Sequence, residues 1–162
     1  MIKVRDAESG DVAKIAEIYN QGIEDRQATM ETRLRSEADM KEWLAARGAR
    51  YRVLVAEQEG AVVGWASLNP FSARDCYAGV ADLSIYIQRE RRGVGLGKLL
   101  LEAILRLACE LEFHKVVLSA LKRNEAGQSL YRAMQFREVG VYQRQGKLDG
   151  EWQDVLLMEK LL

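Results

Sequence analysis

The sequence predicts an α/β domain, a mixed sheet of about seven strands with about four helices on its faces. Three observations lead there. Stretches with apolar residues at every second position alternate along the chain with stretches whose apolar residues recur at helical spacing. At 162 residues, 48% of them apolar, the chain has one domain's length and enough apolar surface for a sizeable core. No internal repeat, low-complexity tract or linker interrupts it, so one domain over residues 1–162 is expected.

Ile2–Arg5 (IKVR) reads as a short first strand. Val12, Ile15, Ala16 and Tyr19 then share one face of a helix. Ser36 opens a second helix, with Asp39 three residues on at the capping-box position. Residues 51–68 (YRVLVAEQEGAVVGWASL) form two strands joined by a tight turn near Gly60. Val80–Gln88 alternates Leu83, Ile85 and Ile87 with Asp82, Ser84 and Tyr86, the strand period. Leu100, Leu101, Ile104, Leu105, Ala108 and Leu111 make a long amphipathic helix. Lys115–Leu121 (KVVLSAL) is a buried strand by its β-branched run, and residues 124–135 (NEAGQSLYRAMQ) are helical. Residues 137–158 close as a hairpin, where Asp149-Gly150 suits a primed turn with two positive-φ residues.

Composition excludes several functions. Lys plus Arg equals Asp plus Glu at 24 each, which favours neither nucleic acid nor an anionic membrane. The start, MIKVRDAESGD, carries no signal-type apolar stretch, and no run reaches the roughly 18 apolar residues of a membrane span. Cys76 and Cys109 are expected to be reduced thiols, and a single histidine, His114, argues against an ordinary zinc site. A cytoplasmic chain without a metal is expected.

The segment RERRGVGLGKLL, residues 89–100, concentrates the chemistry. Gly93, Gly95 and Gly97 lie between a strand and a helix. Without Cβ atoms, backbone N–H groups can converge on an oxyanion, and the helix dipole favours negative charge. Arg91, Arg92 and Lys98 add positive charge. A Walker A loop is excluded because Leu99 follows Lys98 where a hydroxyl belongs, and the glycine spacing is not that of a dinucleotide fold. What remains is R-x-x-G-x-G over Arg92, Gly93, Val94, Gly95, Leu96 and Gly97.

That loop, with NEAGQSLYRAMQF about thirty residues later, resembles the GNAT superfamily of acyl-CoA-dependent N-acetyltransferases over essentially the whole chain. IAEIYNQGIEDRQATMET, VVGWASLNPFSARDCY and GKLDGEWQDVLLMEKLL are similar to its branch of phosphinothricin, arsinothricin and methionine sulfoximine acetyltransferases. The resemblance implies a mostly antiparallel sheet, acetyl-CoA as donor, a primary amine of a small amino acid or analogue as acceptor, and a homodimer. Arg92, Gly93, Val94, Gly95, Leu96, Gly97 and Lys98 would hold the CoA pyrophosphate. Ile85, Tyr86 and Ile87 would pair their backbone with the pantetheine arm and polarise the thioester carbonyl, with Asn124 both capping a helix and touching pantetheine.

Acetyl transfer needs a neutral amine, a stabilised leaving thiolate and aligned reactants. The resemblance gives these tasks to Asp82 as base, where the branch usually has Glu, and to Tyr131 as donor to the thiolate. For the acceptor it points to Glu31 and Thr32, and to Arg74 and Tyr77; Ser72 stands where the branch carries another arginine. Trp152 and Asp154 match a W-x-D signature that, like Lys147, lies in the acceptor pocket or in a dimer contact. Gln135 replaces the family's glycine and must either adopt a left-handed conformation or end its helix differently. A protein or peptide N-acetyltransferase and a non-catalytic acyl-CoA sensor are the alternative functions.

Overall fold

The computed structural model describes all of residues 1–162. In chain order the elements are β1 (Ile2–Asp6), α1 (Val12–Glu24), α2 (Glu37–Ala45), β2 (Val53–Gln58), β3 (Ala61–Pro70), β4 (Val80–Ile87), α3 (Leu96–Glu110), β5 (Lys115–Leu121), α4 (Glu125–Ala133), β6 (Arg137–Leu148) and β7 (Glu151–Leu161). The strands form one seven-stranded sheet in the order β1-β2-β3-β4-β5-β7-β6. Every neighbouring pair is antiparallel except β4 and β5.

Local chemistry fixes the boundaries. The Ser36 hydroxyl accepts from the Asp39 N–H at 3.0 Å, and the Asp39 carboxylate accepts from the Ser36 N–H at 2.9 Å, the reciprocal box that starts α2. The β2–β3 and β6–β7 turns each place two residues at positive φ, Glu59 (52°) with Gly60 (79°) and Asp149 (51°) with Gly150 (82°). This primed geometry matches the twist of the flanking strands. Gln135 bears the left-handed conformation itself, at φ 66°, after α4.

Two cores lie on opposite faces of the sheet. α3 packs Leu96, Leu100, Leu101 and Ile104 against Leu54, Ala66, Leu68, Ala81 and Leu83. On the other face α1 and α2 bring Ile15, Ile18 and Met40 onto Val53, Val55, Val62 and Trp65. The alternation of β4 therefore turns Ala81 and Leu83 toward α3, and Asp82, Ser84 and Tyr86 toward α1 and α2.

The parallel pair is short. β4 meets β5 only at Val80–Lys115, Ala81–Val116 and Asp82–Val117. Beyond Asp82, β4 continues beside β3, with Tyr86 opposite Trp65, while β5 continues beside β7 to Leu121. A fork opens in the sheet just past Asp82.

Candidate active site

Asp82 stands at the root of the fork. Its carboxylate accepts from Asn69 Nδ2 at 3.4 Å, and the same amide donates to Ser84 Oγ at 3.0 Å. Burial pushes the Asp82 carboxyl up from 3.8 to about 6, with the Asn69 hydrogen bond opposing part of the rise. A carboxylate poised near neutrality can take a proton from an amine.

Two cavities flank the fork. The first, of about 540 Å³, lies between α2 and the sheet, lined by Tyr19, Trp43, Trp65, Ser67, Asn69, Ser84 and Tyr86 with Arg33 and Arg35. The buried indole N–H of Trp65 has no hydrogen-bond partner within the chain. The second, of about 520 Å³, runs from the open edge of β4 to the glycine loop and the start of α4. Tyr86 belongs to both, as the wall between them. It packs on Tyr19 and Trp65, with ring centroids 5.0 and 4.9 Å away, and burial raises its phenol well above the usual tyrosine range.

The glycine-loop cavity gathers Ile85, Tyr86, Ile87, Arg92, Gly93, Gly95, Gly97, Lys98, Asn124 and Tyr131, all expected there from the sequence. The glycines divide the work. Gly93 (φ 76°) and Gly95 (φ 88°) take left-handed backbone that L side chains resist, with nothing near their Cα hydrogens, so the loop stays open to an anion. Gly97 is already helical, and a Cβ there would sit 3.0 Å from Leu130 Cδ2, so its role is the close approach of α3 to α4. Val94 projects into solvent and Leu96 into the core, so both stand outside the cavity lining and only their backbone N–H groups are suited to an anion.

Arg92 donates to Asp25 Oδ2 at 2.6 Å, and Arg89 grips the same carboxylate, which holds Asp25 below the ordinary carboxylate range, Arg89 most strongly. Asp25 thus orders the basic rim. Lys98 and Arg91 line the cavity with looser or no pairing, Lys98 being 3.9 Å from Glu102. Arg123, also lining it, donates to the Arg26 carbonyl. Asn124 caps α4 by accepting from the Gly127 N–H at 3.0 Å. Tyr131 packs edge-on against Phe136 at 5.8 Å; burial, and then the Asp82 charge, push its phenol up to about 12, favouring a protonated donor.

The expected acceptor residues stand apart. Glu31 is exposed and lies 3.5 Å from Arg35, and Thr32 is exposed beside it. Arg74 starts a single helical turn with Tyr77, which is exposed and packs edge-on against Phe71 at 5.6 Å. None of the four lines either cavity. In the last hairpin, Asp154 Oδ1 accepts from the Arg144 N–H at 2.8 Å, where β6 bulges and Arg144 has φ 50°. Asp154 thus pins a bulge, while Lys147 lies 4.9 Å over the Trp152 ring. Sequence reading missed Asp25, Arg47, Trp65, Asn69 and Arg123. Arg123 carried a local signal, as a cation next to the Asn124 cap, and Asp25, Trp65 and Asn69 lie inside the stretches that carry the family resemblance.

A strand edge without a partner, an open pair of left-handed glycines with a basic rim, and a carboxylate at the fork suit an acyl-CoA and an amine. The model of the acetyltransferase (GNAT) family matches residues 15–136. The chain belongs to the GNAT family. This GNAT chain is 30% identical over 158 residues to the L-methionine sulfoximine/L-methionine sulfone acetyltransferase of Pseudomonas paraeruginosa, covering 96% of the chain and 92% of the relative. A phosphinothricin acetyltransferase from Sinorhizobium meliloti, solved with acetyl-CoA, superposes with TM-score 0.94 at 31% identity, covering 99% of this chain and 88% of that one. A ribosomal-protein-alanine N-acetyltransferase from Brucella melitensis superposes with TM-score 0.95 at 33% identity over 99% of both chains. The GNAT chain is thus an acyl-CoA-dependent transferase with the family's mostly antiparallel sheet, and acetyl-CoA is the ligand its solved relative carries.

Proposed function

We propose that this enzyme, a single-domain GNAT over residues 1–162, acetylates the primary amine of a small amino acid or amino-acid analogue. The observation that carries the reading is Asp82 at the fork, bonded to Asn69 of one cavity, with Tyr131 lining the other. Acetyl-CoA supplies the activated acyl group. Its pyrophosphate fits the open loop at Gly93 and Gly95, and its pantetheine arm fits the unpaired edge at Ile85–Ile87. The acceptor takes the α2 cavity, where Arg33 and Arg35, loosely paired at 3.5 Å with Asp39 and Glu31, exchange those partners for a substrate carboxylate. Asp39 and Glu42 line the same wall, and aromatic rings enclose a small side chain. Glu31, Arg74 and Tyr77, on loops outside both cavities, close over the acceptor, and the enzyme is a homodimer.

Asp82 removes the ammonium proton, directly or through a water, and the neutral amine attacks the thioester carbonyl without a covalent acetyl-enzyme. Backbone N–H groups of the Ile85–Ile87 edge stabilise the charge that develops on the carbonyl oxygen. Tyr131 donates to the departing thiolate. The free, exposed thiols of Cys76 and Cys109 suit the cytoplasm, and no helix is long and apolar enough to cross a membrane. The Brucella relative's name makes a peptide N-terminus the second reading.

The test is acetyl-CoA-dependent product formation, by mass spectrometry, over phosphinothricin, methionine sulfoximine, methionine sulfone, ordinary amino acids, polyamines and peptides ending in alanine. Acetylation of free amino acids or their analogues is expected. Acetylation of peptides alone would overturn the small-acceptor reading.

A further inference from the structure

We propose that Arg47 is a positioning residue for Asp82, acting through the side-chain amide of Asn69. Arg47 lies just past the end of α2, partly buried, with its guanidinium 4.4 Å over the Trp43 ring. Its oxygen partners are all neutral. Nε donates to the Tyr51 carbonyl at 2.7 Å, and Nη2 donates to the Leu68 carbonyl and to Asn69 Oδ1, the latter at 2.8 Å. Asp82, in turn, is a partly buried carboxylate with no ion-pair partner, whose side-chain donor is Asn69. One amide therefore separates an uncompensated cation from an uncompensated anion.

The chemistry of that amide makes the link directional. A guanidinium only donates and an ionised carboxylate only accepts. Asn69 must turn its oxygen to Arg47, reinforced by the Ser67 hydroxyl at 3.0 Å, and its nitrogen to Asp82 and Ser84. Reversed, it would set an oxygen against the carboxylate and an NH₂ against the guanidinium. Arg47 thus fixes which end of Asn69 meets Asp82, and its charge reaches Asp82 through a polarised hydrogen bond. The Asp82 charge reaches the Tyr86 and Tyr131 phenols, both held neutral. Arg33, Arg35, Asp39 and Glu42 line the same cavity as Asn69 from α2 and the segment before it, and β5 contributes only Val117 at this register. The consequence for catalysis rests on Asp82 being the base; the coupling itself does not.

The experiment titrates the Asp82 carboxylate by ¹³C NMR in the full-length chain without substrate, its signal assigned with Asp82→Asn. In Arg47→Met the midpoint should rise by about half to one pH unit, a roughly three- to tenfold higher proton affinity. Arg47→Lys should restore most of the wild-type value. Asn69→Leu, which leaves the Arg47 bonds to the Tyr51 and Leu68 carbonyls in place, should raise the midpoint similarly. Adding Arg47→Met to Asn69→Leu should then change little, because the link is already cut. The acid limb of kcat/KM should follow the carboxylate. A folded Arg47→Met with an unmoved midpoint would overturn the proposal. Should that variant fail to fold, an unmoved midpoint in Asn69→Leu would do the same. Shifted midpoints in a protein that acetylates no amine would support the coupling and reject only the transfer reading.

Discussion

Asp82 and Tyr131 divide the proton traffic between them, and each role has a measurable signature. Asp82→Asn should lower kcat by about 10²–10⁴-fold while leaving acetyl-CoA binding by calorimetry intact. In the wild type, kcat/KM should climb as pH rises through about 6, where Asp82 ionises. Stability runs the other way. Burial raises this carboxyl from 3.8 to about 6, so the folded chain binds the proton more tightly than the unfolded chain does. The corresponding stability is fully present below about pH 3.8 and lost as pH rises through about 6. Asp82→Asn escapes that loss, so above pH 6 denaturant melts should show the variant gaining on the wild type by up to about 3 kcal/mol. Tyr131→Phe should slow turnover with a thioester donor while leaving KM for acetyl-CoA nearly unchanged, because packing against Phe136 survives loss of the hydroxyl. A kcat equal to wild type would remove Tyr131 from the chemistry. Both positions were reached through the family resemblance, Asp82 on the alternating strand β4 and Tyr131 in the NEAGQSLYRAMQF motif, and their roles are what these measurements test. Arg47 and Asn69 were not reached, since their hydrogen bond joins the end of α2 to β3 and no local spacing announces it.

At the scale of elements, the connection from β4 into α3 shows how sequence signals carry position but not division of labour. The glycines and arginines announced an anion site between a strand and a helix. Their spacing could not tell the left-handed Gly93 and Gly95 from Gly97, whose reason is contact with Leu130 of α4. Nor could it show that Asp25, at the end of α1, orders Arg89 and Arg92. The end of α4 gives a cleaner test. Gln135 holds φ 66°, a conformation costing a side-chain-bearing residue about 1 kcal/mol more than glycine. Gln135→Gly should therefore stabilise the chain by about 0.5–1 kcal/mol in urea melts, offset in part by the greater freedom of glycine when unfolded. A destabilised variant would mean that the Gln135 side chain supports the fold in some other way.

For the whole molecule, periodicity predicted seven strands and four helices, and all of them are present. Strand order was out of its reach, because period 2 marks a strand without naming its neighbours; the likeness to a known family supplied a mostly antiparallel sheet, and the structure supplied the order. The α2 cavity proposed for the acceptor was not legible, since it draws on four separate stretches of chain, and Glu31, Thr32, Arg74 and Tyr77, expected at the acceptor, lie outside its lining. The last hairpin leaves β6 paired on one side only, with Val139, Val141 and Tyr142 exposed. An edge of that kind invites a second strand. Sedimentation equilibrium should give twice the chain mass, and Val141→Lys should lower it to the chain mass; a wild-type monomer would reject the dimer.

The three-rung junction between β4 and β5 also has a mechanical meaning. It is the only lateral bond row joining the β1–β4 half of the sheet to the β5–β7–β6 half, so thermal breathing should concentrate there. A pantetheine arm lying in the fork would act as a strut across that seam. Saturating CoA should then slow amide hydrogen exchange most in Leu83–Ile87 and Leu118–Leu121, on both banks of the gap, and far less in β1 or β2. Substrate occupancy in this enzyme would thus be a form of bracing, strongest where the bare sheet is weakest.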